Sequence, residues 1–352
     1  IYDVSKRASQ KTAMTIWNMF PDIVDVPDTL ALVASSATEE FLMHHGSRLK
    51  HLTLFITPDS PQHITLILPY IGATSLETLD IRASGCVDCY FVQFLPSLTH
   101  LYLNAMDTKR FGSIPPGLID LRVTVRTLID IDVDPLTKLE TLSITSERAR
   151  LYGALPQTLR TLRIRGPASR APDTFPDGLE HLELSGMIVD SVLSLPTALK
   201  TLDLTNTHIE PGQVDFSGLD LDACYVRGTY LDDHDIRRCR ASILDVRWTH
   251  ITPEVVFDPK VETVYMDAIP APESITSSRQ HTLVVHIGKE PVHYFPVSLV
   301  RQNNARDEPS TDECHALYTT SVEHRKLEIH IWVNSLLVQS VDRLLQLHLE
   351  RS

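Results

Sequence analysis

The sequence predicts an α/β solenoid: stacked coils with a parallel concave β-sheet, an extended or 3-10 convex side, and helical caps at the N- and C-terminal ends. Three observations predict it. First, an apolar frame, L-x-x-L-x-L, starts at positions 49, 76, 98, 118, 139, 159, 179, 199, 221, 241 and 261, so successive starts lie 27, 22, 20, 21, 20, 20, 20, 22, 20 and 20 residues apart. A stack of supersecondary units leaves this mark because no unit can bury its own apolar face and each must cover its neighbour. Second, a proline precedes many frames, at Pro96, Pro115, Pro135, Pro156, Pro176 and Pro196. Third, 43% of the 352 residues are apolar and 22% are charged, which excludes a disordered chain, and 13 Gly excludes a collagen-like one. No run of about 18 uncharged apolar residues suggests a membrane-spanning helix.

The elements follow in order. Residues 1–48 read as an N-terminal helical and degenerate-repeat cap. Ser9 to Phe20, containing Trp17, reads as a helix; Val26 to Val33 is a degenerate first unit; Thr38 to His45 reads as a short helix with Thr38 as N-cap and Glu39 and Glu40 in its first turn. Residues 49–268 are the repeat array. Leu199-Lys-Thr-Leu202-Asp-Leu204 shows the unit most clearly: its last apolar positions alternate with a polar one, the period of a half-buried strand. Copies stacked about 4.8 Å apart form a parallel sheet with inward apolar columns. Each proline lacks an N–H and fixes its φ, and only about a dozen residues remain to close a coil, so the return is extended or 3-10. The 27-residue first interval leaves room for a helix at Pro61 to Tyr70. Residues 269–352 hold irregular repeats, with strand-like runs at His281 to Ile287 and Lys326 to Trp332 and an exposed polar loop at 301–312. Ser335 to Leu349 places Leu337, Val341, Leu344 and Leu345 on one helical face. That helix reads as a cap over the last coil or as a partner-binding helix.

The units Leu155-Pro-Gln-Thr-Leu159, Phe175-Pro-Asp-Gly-Leu179 and Leu195-Pro-Thr-Ala-Leu199, each running into its frame, resemble the leucine-rich repeat family. Within it they are similar to the short class of roughly 20-residue L-P-x-x-L-x-x-L-x-L repeats of bacterial effector proteins and related eukaryotic repeats. The resemblance covers about Leu49 to Met266. It implies a solenoid that recognises a protein partner. The chain departs from the family where an asparagine would follow the last frame position by three residues. Those places hold Ser84, Met106, Arg126, Glu147, Pro167, Met187 and Thr207, so other groups must satisfy the backbone there.

Enzymatic chemistry has no constellation behind it. No phosphate-binding glycine motif, nucleophile elbow or H-E-x-x-H is present, so no catalytic residue, metal ligand, cofactor or small-molecule substrate is assigned. Cys86-Val-Asp-Cys89 is a lone C-x-x-C, without the second pair a zinc site wants. Some bacterial relatives carry a ubiquitin-ligase domain with a Cys-x-Asp nucleophile. Cys86-Val-Asp88 matches those letters but sits inside the array and reads as a loop cysteine.

What remains is surface. The column between the last two frame positions runs Asp80, Tyr102, Arg122, Ser143, Arg163, Glu183, Asp203, Tyr225, Asp245, Tyr265, and the next outward column includes Arg82, Arg165, Arg227 and Arg247, with Trp248 following. Aromatic residues and arginine are enriched at binding hot spots. The candidate protein-binding residues on the concave face are therefore Tyr102, Arg122, Arg163, Arg165, Glu183, Asp203, Tyr225, Arg227, Asp245, Arg247, Trp248 and Tyr265. Some of these charges can equally be cross-strand pairs, as with Arg163 beside Glu183. A net charge of −13 disfavours nucleic acid and anionic membranes as partners. The stretch from Lys109 to Arg170, with 11 Lys/Arg against 6 Asp/Glu, keeps salt-dependent nucleic-acid binding as a minor reading. None of Asn18, Asn104, Asn206, Asn303, Asn304 and Asn334 begins an N-glycosylation sequon, so the expected setting is intracellular and cytoplasmic.

The sequence thus predicts a non-catalytic protein-recognition scaffold that binds a protein partner on the concave face. The alternative is a substrate-receptor subunit of a ubiquitin ligase, or a structural subunit of a larger assembly, docking through its terminal segments.

Overall fold

The computed structural model describes residues 28–34, 42, 46–57, 75–111, 113–251, 255–258 and 260–267, with the backbone of the strands Leu283–Ile287, Glu290–Tyr294, Pro296–Val300, Glu313–Val322 and Arg325–Asn334. The chain forms two compact units, Ile1–Glu183 and Leu184–Ser352.

The first unit is a stack of coils. Its strands Thr29–Val33, His51–Ile56, Thr78–Ala83, His100–Asn104, Asp120–Thr124, Thr141–Thr145 and Thr161–Arg165 pair in parallel, each with the next. The frame sets the register: Leu52, Leu79, Leu101, Leu121, Leu142 and Leu162 lie side by side down the sheet. Leu30 pairs with Leu52, so the degenerate unit around Val26 to Val33 contributes a strand to the stack. The core is the set of frame columns. Leu79, Leu98, Leu118, Leu121, Leu139, Leu142, Leu159 and Leu162 are all 0% exposed, and each such side chain stabilises the stack by about 1.5–3 kcal/mol relative to exposure.

The second unit repeats the pattern. Thr201–Asp203, Leu221–Tyr225, Ala241–Asp245 and Thr263–Asp267 run in parallel, with Leu202, Cys224, Leu244 and Val264 in register. Arg325–Asn334 then pairs in parallel with Thr263–Asp267, and Glu313–Val322 and Pro296–Val300 continue the sheet as antiparallel strands. The run Lys326 to Trp332 is thereby a sheet strand. The run His281 to Ile287 contains the strand Leu283–Ile287, which pairs with Val256–Phe257 and Glu290–Tyr294 in a smaller sheet.

The α/β character expected from the sequence is not what the described residues show. They form a β-solenoid with little helix: the short helix Asp233–Arg237 and the 3-10 turns Gly46–Arg48 and Tyr90–Phe94. The reason is coil length. Return segments of this size close with extended backbone, and several pair as short parallel strands, Cys86–Cys89 with Asp107–Phe111, Leu128–Asp132 with Arg148–Tyr152, and Leu193–Ser194 with Val214–Asp215. Cys86-Val-Asp-Cys89 is consequently a strand and not a loop. The helices expected at Ser9 to Phe20, Thr38 to His45, Pro61 to Tyr70 and Ser335 to Leu349, and with them the helical caps, lie outside the described residues, as does the loop 301–312; Leu42 alone is described from these segments, and it is buried.

In four coils the proline before the frame opens a tight turn. The Leu118, Leu159, Leu179 and Leu199 N–H groups donate to the carbonyls of Pro115, Pro156, Pro176 and Pro196 at 3.2, 3.0, 3.1 and 3.2 Å. The fixed φ of proline suits such a turn, and its missing N–H leaves no donor unpaired there. One carbonyl per coil then accepts two N–H groups from the next. Glu140 O accepts from Arg160 and Thr161 at 2.8 and 3.0 Å, and Lys200 O from Asp222 and Ala223 at 2.7 and 3.3 Å.

Threonine recurs at one place in three coils. In the second unit Thr207, Thr229 and Thr249 each stand three residues after a frame. Their N–H groups donate to Leu204, Val226 and Val246 O at 3.0, 3.2 and 3.3 Å. The Thr229 and Thr249 hydroxyls donate to the same Val226 and Val246 carbonyls at 2.7 and 2.6 Å, and the Thr207 hydroxyl donates to Leu184 O. The residue before each threonine is left-handed: Asn206 at φ 55, Gly228 at φ 68 and Trp248 at φ 56.

Candidate protein-binding face

Side chains alternate along each strand, so the residues between frame positions leave the core and reach the open face of the sheet. In the first unit Tyr102 stands beside Arg122 across neighbouring strands. The Tyr102 hydroxyl donates to Asp120 Oδ2 at 3.1 Å, and the Arg122 guanidinium lies over its ring at 5.2 Å. Arg122 also clasps Asp120, Nε to Oδ1 at 3.0 Å and Nη2 to Oδ2 at 2.8 Å. Partial burial, then the Asp120 charge, pushes the Tyr102 phenol above its ordinary value, and the hydrogen bond to Asp120 raises the Arg122 guanidinium. Arg163 and Arg165 share one carboxylate. Arg165 makes a two-pronged pair with buried Glu183, Nη2 to Oε2 at 3.1 Å, while Arg163 Nε is 3.9 Å from the same group. Both arginines are more than half exposed, at 53% and 58%.

In the second unit Asp203, Tyr225, Asp245 and Tyr265 form one row in register. Asp203 Oδ1 accepts from Thr205 N at 2.9 Å. Burial, then the Tyr265, Asp203 and Asp245 neighbours, raises the Tyr225 phenol. Asp245 is 4% exposed and is clasped by Arg247, which also lies over the Tyr265 ring at 5.7 Å. Trp248 is 49% exposed on the turn that follows the strand, and the Arg227 guanidinium stacks on its ring at 3.8 Å.

The structure therefore brings Tyr102 and Arg122 together, Arg163 and Arg165 together with Glu183, Tyr225 together with Asp203 and Asp245, Arg247 with Asp245 and Tyr265, and Arg227 with Trp248. Much of the open face is self-paired, as the cross-strand reading of Arg163 and Glu183 allows. Sequence reasoning passed over two features. Asp120 organises Tyr102 and Arg122, and the spacing Asp-x-Arg, repeated at Asp80-x-Arg82, Asp120-x-Arg122 and Asp245-x-Arg247, was the available signal. An exposed ring stripe runs along the second unit: Tyr230 meets His208 edge-on at 5.3 Å and stacks on His250 at 5.4 Å. Its signal was the shared place of His208, Tyr230 and His250, each four residues after a frame.

Elsewhere the chemistry is quiet. Burial pushes the Cys89 thiol up to about 12, which disfavours the thiolate that a nucleophile or metal ligand needs. Among the described residues no three or more His, Cys, Asp or Glu side chains group where they could hold a metal ion, and no helix is long and apolar enough to cross a membrane. The chain matches no protein-family model and no curated protein.

Proposed function

We propose that the chain is a non-catalytic protein-recognition scaffold whose coils are of the leucine-rich repeat kind, and that a protein partner binds on the open sheet face. The observation that carries this reading is the pairing of a rigid support with residues suited to hot spots. Tyr102, Arg122, Arg163, Arg165, Tyr225 and Tyr265 all project from strands whose opposite side is buried apolar frame residues, and Arg247 stands in the turn just after one. Such side chains lose little conformational freedom on binding, so more of their contact energy reaches affinity. An intracellular, cytoplasmic setting belongs to the same proposal, and the free thiols of Cys86, Cys89, Cys224 and Cys239 agree with a reducing compartment.

The test is partner capture from cell extract with the two units probed separately: R163E/R165E in the first and Y225A in the second, each variant checked for folding by circular dichroism. Loss of the captured protein with either folded variant supports the reading. Undiminished capture by both overturns the assignment of the sheet face.

A further inference from the structure

Four arginines occupy the same place in their coils, one residue past the frame: Arg82, Arg165, Arg227 and Arg247. Arg82 clasps Asp80 with Nε and Nη2 at 3.0 and 2.9 Å, Arg165 clasps Glu183, and Arg247 clasps Asp245 with Nε and Nη2 at 2.9 and 2.6 Å. Arg227 clasps no carboxylate among the described residues. Its Nε is buried without an acceptor, and its guanidinium carbon lies over the Trp248 ring, 3.8 Å from the centroid. That buried Nε is closed to an outside ligand, so a partner must be taken end-on by the two Nη groups of the fork.

Trp248 supplies a second, independent observation. Its backbone is left-handed at φ 56, where the preceding coils place Gly186 at φ 72, Asn206 at φ 55 and Gly228 at φ 68. A bulky side chain is strained in that region, and strain of this kind collects at binding and switch sites. The strained ring is also 49% exposed. Two residues further along the same coil, His250 stacks on Tyr230, itself 45% exposed, which extends the aromatic surface.

We propose that Arg227, held on Trp248, is the docking point for a single carboxylate: an Asp or Glu side chain within an otherwise apolar and aromatic segment of the protein partner. The planar fork of arginine matches a carboxylate in two-pronged geometry, and the tryptophan face fixes that fork before binding. The site favours one negative charge over the double charge of a phosphate, because Asp203 and Asp245 flank Tyr225, two residues before Arg227, on either side; Asp245 is balanced by Arg247, whereas Asp203 is met by a backbone N–H. Tyr230 and His250 offer ring faces to the apolar neighbours of the acid. This inference rests on the protein-recognition reading and names the chemistry of the partner.

The experiment is selection of a displayed random peptide library on the full chain, followed by affinity measurement of the selected peptides on wild type, R227Q and W248G. W248G puts glycine where φ is already positive, so it is expected to hold or raise the thermal midpoint, which separates lost binding from lost folding. The expected result is enrichment of peptides with one Asp or Glu beside aromatic or large apolar residues. Changing that acid to its amide weakens binding to wild type by about tenfold and no longer matters on R227Q, and W248G weakens the same peptides. Peptides that bind R227Q as well as wild type, or that show no acidic enrichment, overturn this inference and leave protein recognition standing. Selection of no peptide by the folded wild-type chain overturns both.

Discussion

Asp245 ends its strand, Arg247 stands two residues on in the turn that follows, and the two close a two-pronged ion pair in which the carboxylate is almost entirely removed from water. Arg247 Nε and Nη2 approach at 2.9 and 2.6 Å, and the Arg247 N–H adds a third bond at 3.2 Å. The side chains of Asp245 and Arg247 are 6% and 17% exposed. Removing one partner of such a pair strands a buried charge, which is worth more than the pair itself. Arg247→Met is expected to lower unfolding stability by about 3 kcal/mol, and D245N/R247M to recover much of that. Arg82→Met is the control. Its arginine is 58% exposed against Asp80, so the loss should stay within about 1 kcal/mol. Urea denaturation of the three variants measures the difference.

Frame leucines should be the costliest single positions in the array. Leu142 is 0% exposed and lies in register between Leu121 and Leu162. Truncation to alanine opens a cavity that the coils above and below cannot fill without losing their own register. Leu142→Ala is expected to cost about 2–5 kcal/mol in urea denaturation. Tyr152→Ala, at a side chain 49% exposed on the return strand, should cost far less.

Gly166 marks a close approach between coils. A Cβ built there would overlap the Ser146 carbonyl oxygen and fall 2.7 Å from Ser169 Oγ. Ser169 Oγ is already engaged, accepting from Ala149 N at 2.7 Å. Gly166→Ala must therefore move backbone, and the expected loss is about 1–3 kcal/mol by thermal or urea unfolding. A thermal midpoint equal to that of wild type would contradict this packing.

Alkaline pH should weaken the fold through Cys89. Burial raises its thiol from 9.0 to about 12, so between those values the folded state holds a proton that the unfolded state has released. Stability is then complete below about pH 9 and falls as pH rises towards 12, by linkage. The raised phenols of Tyr102 and Tyr225 act in the same direction, beginning at their ordinary value of 10.0. Cys89→Ala should flatten the decline between pH 9 and 11 in urea denaturation without removing it. Exposed Cys86 should react with a thiol reagent at pH 8 in the folded protein while Cys89 waits for unfolding.

How much of this was legible depends on sequence distance. The frame columns were legible because leucine at a fixed period has one reading, a stack of coils. Asp120 and Arg122 were legible in principle, since residues two apart on a strand share a face. Tyr102 with Asp120, and Arg165 with Glu183, are each 18 residues apart, and they meet because the coil period returns the chain to the neighbouring strand two positions early. That inference needs a register, which the frame supplies only after the strand direction is known. Trp248 was singled out for its residue type and not for its backbone. Its left-handed place was hinted at by Gly186, Asn206 and Gly228 at the same place in earlier coils. The helix expected at Ser335 to Leu349 rests on a local amphipathic pattern and lies outside the described residues, whereas the described coils are governed by stacking, which favours extended returns.

The threonine column tests what holds the turns that follow the frames. Thr229 is 1% exposed and its hydroxyl donates to Val226 O at 2.7 Å, a carbonyl that the Thr229 N–H also reaches at 3.2 Å. Thr229→Val keeps the shape and deletes the hydroxyl, leaving that carbonyl with its weaker partner. A loss of about 1 kcal/mol is expected, typical of one intramolecular hydrogen bond. Thr249 makes the same bond at 2.6 Å but is only half-buried, so water can replace its hydroxyl and Thr249→Val should cost less. Thr229→Ser retains the hydroxyl and loses the methyl, which isolates the hydrogen bond from the packing. If Thr229→Val proves neutral while Thr229→Ser is damaging, the column is held by its methyl groups, and the backbone bonds alone close these turns.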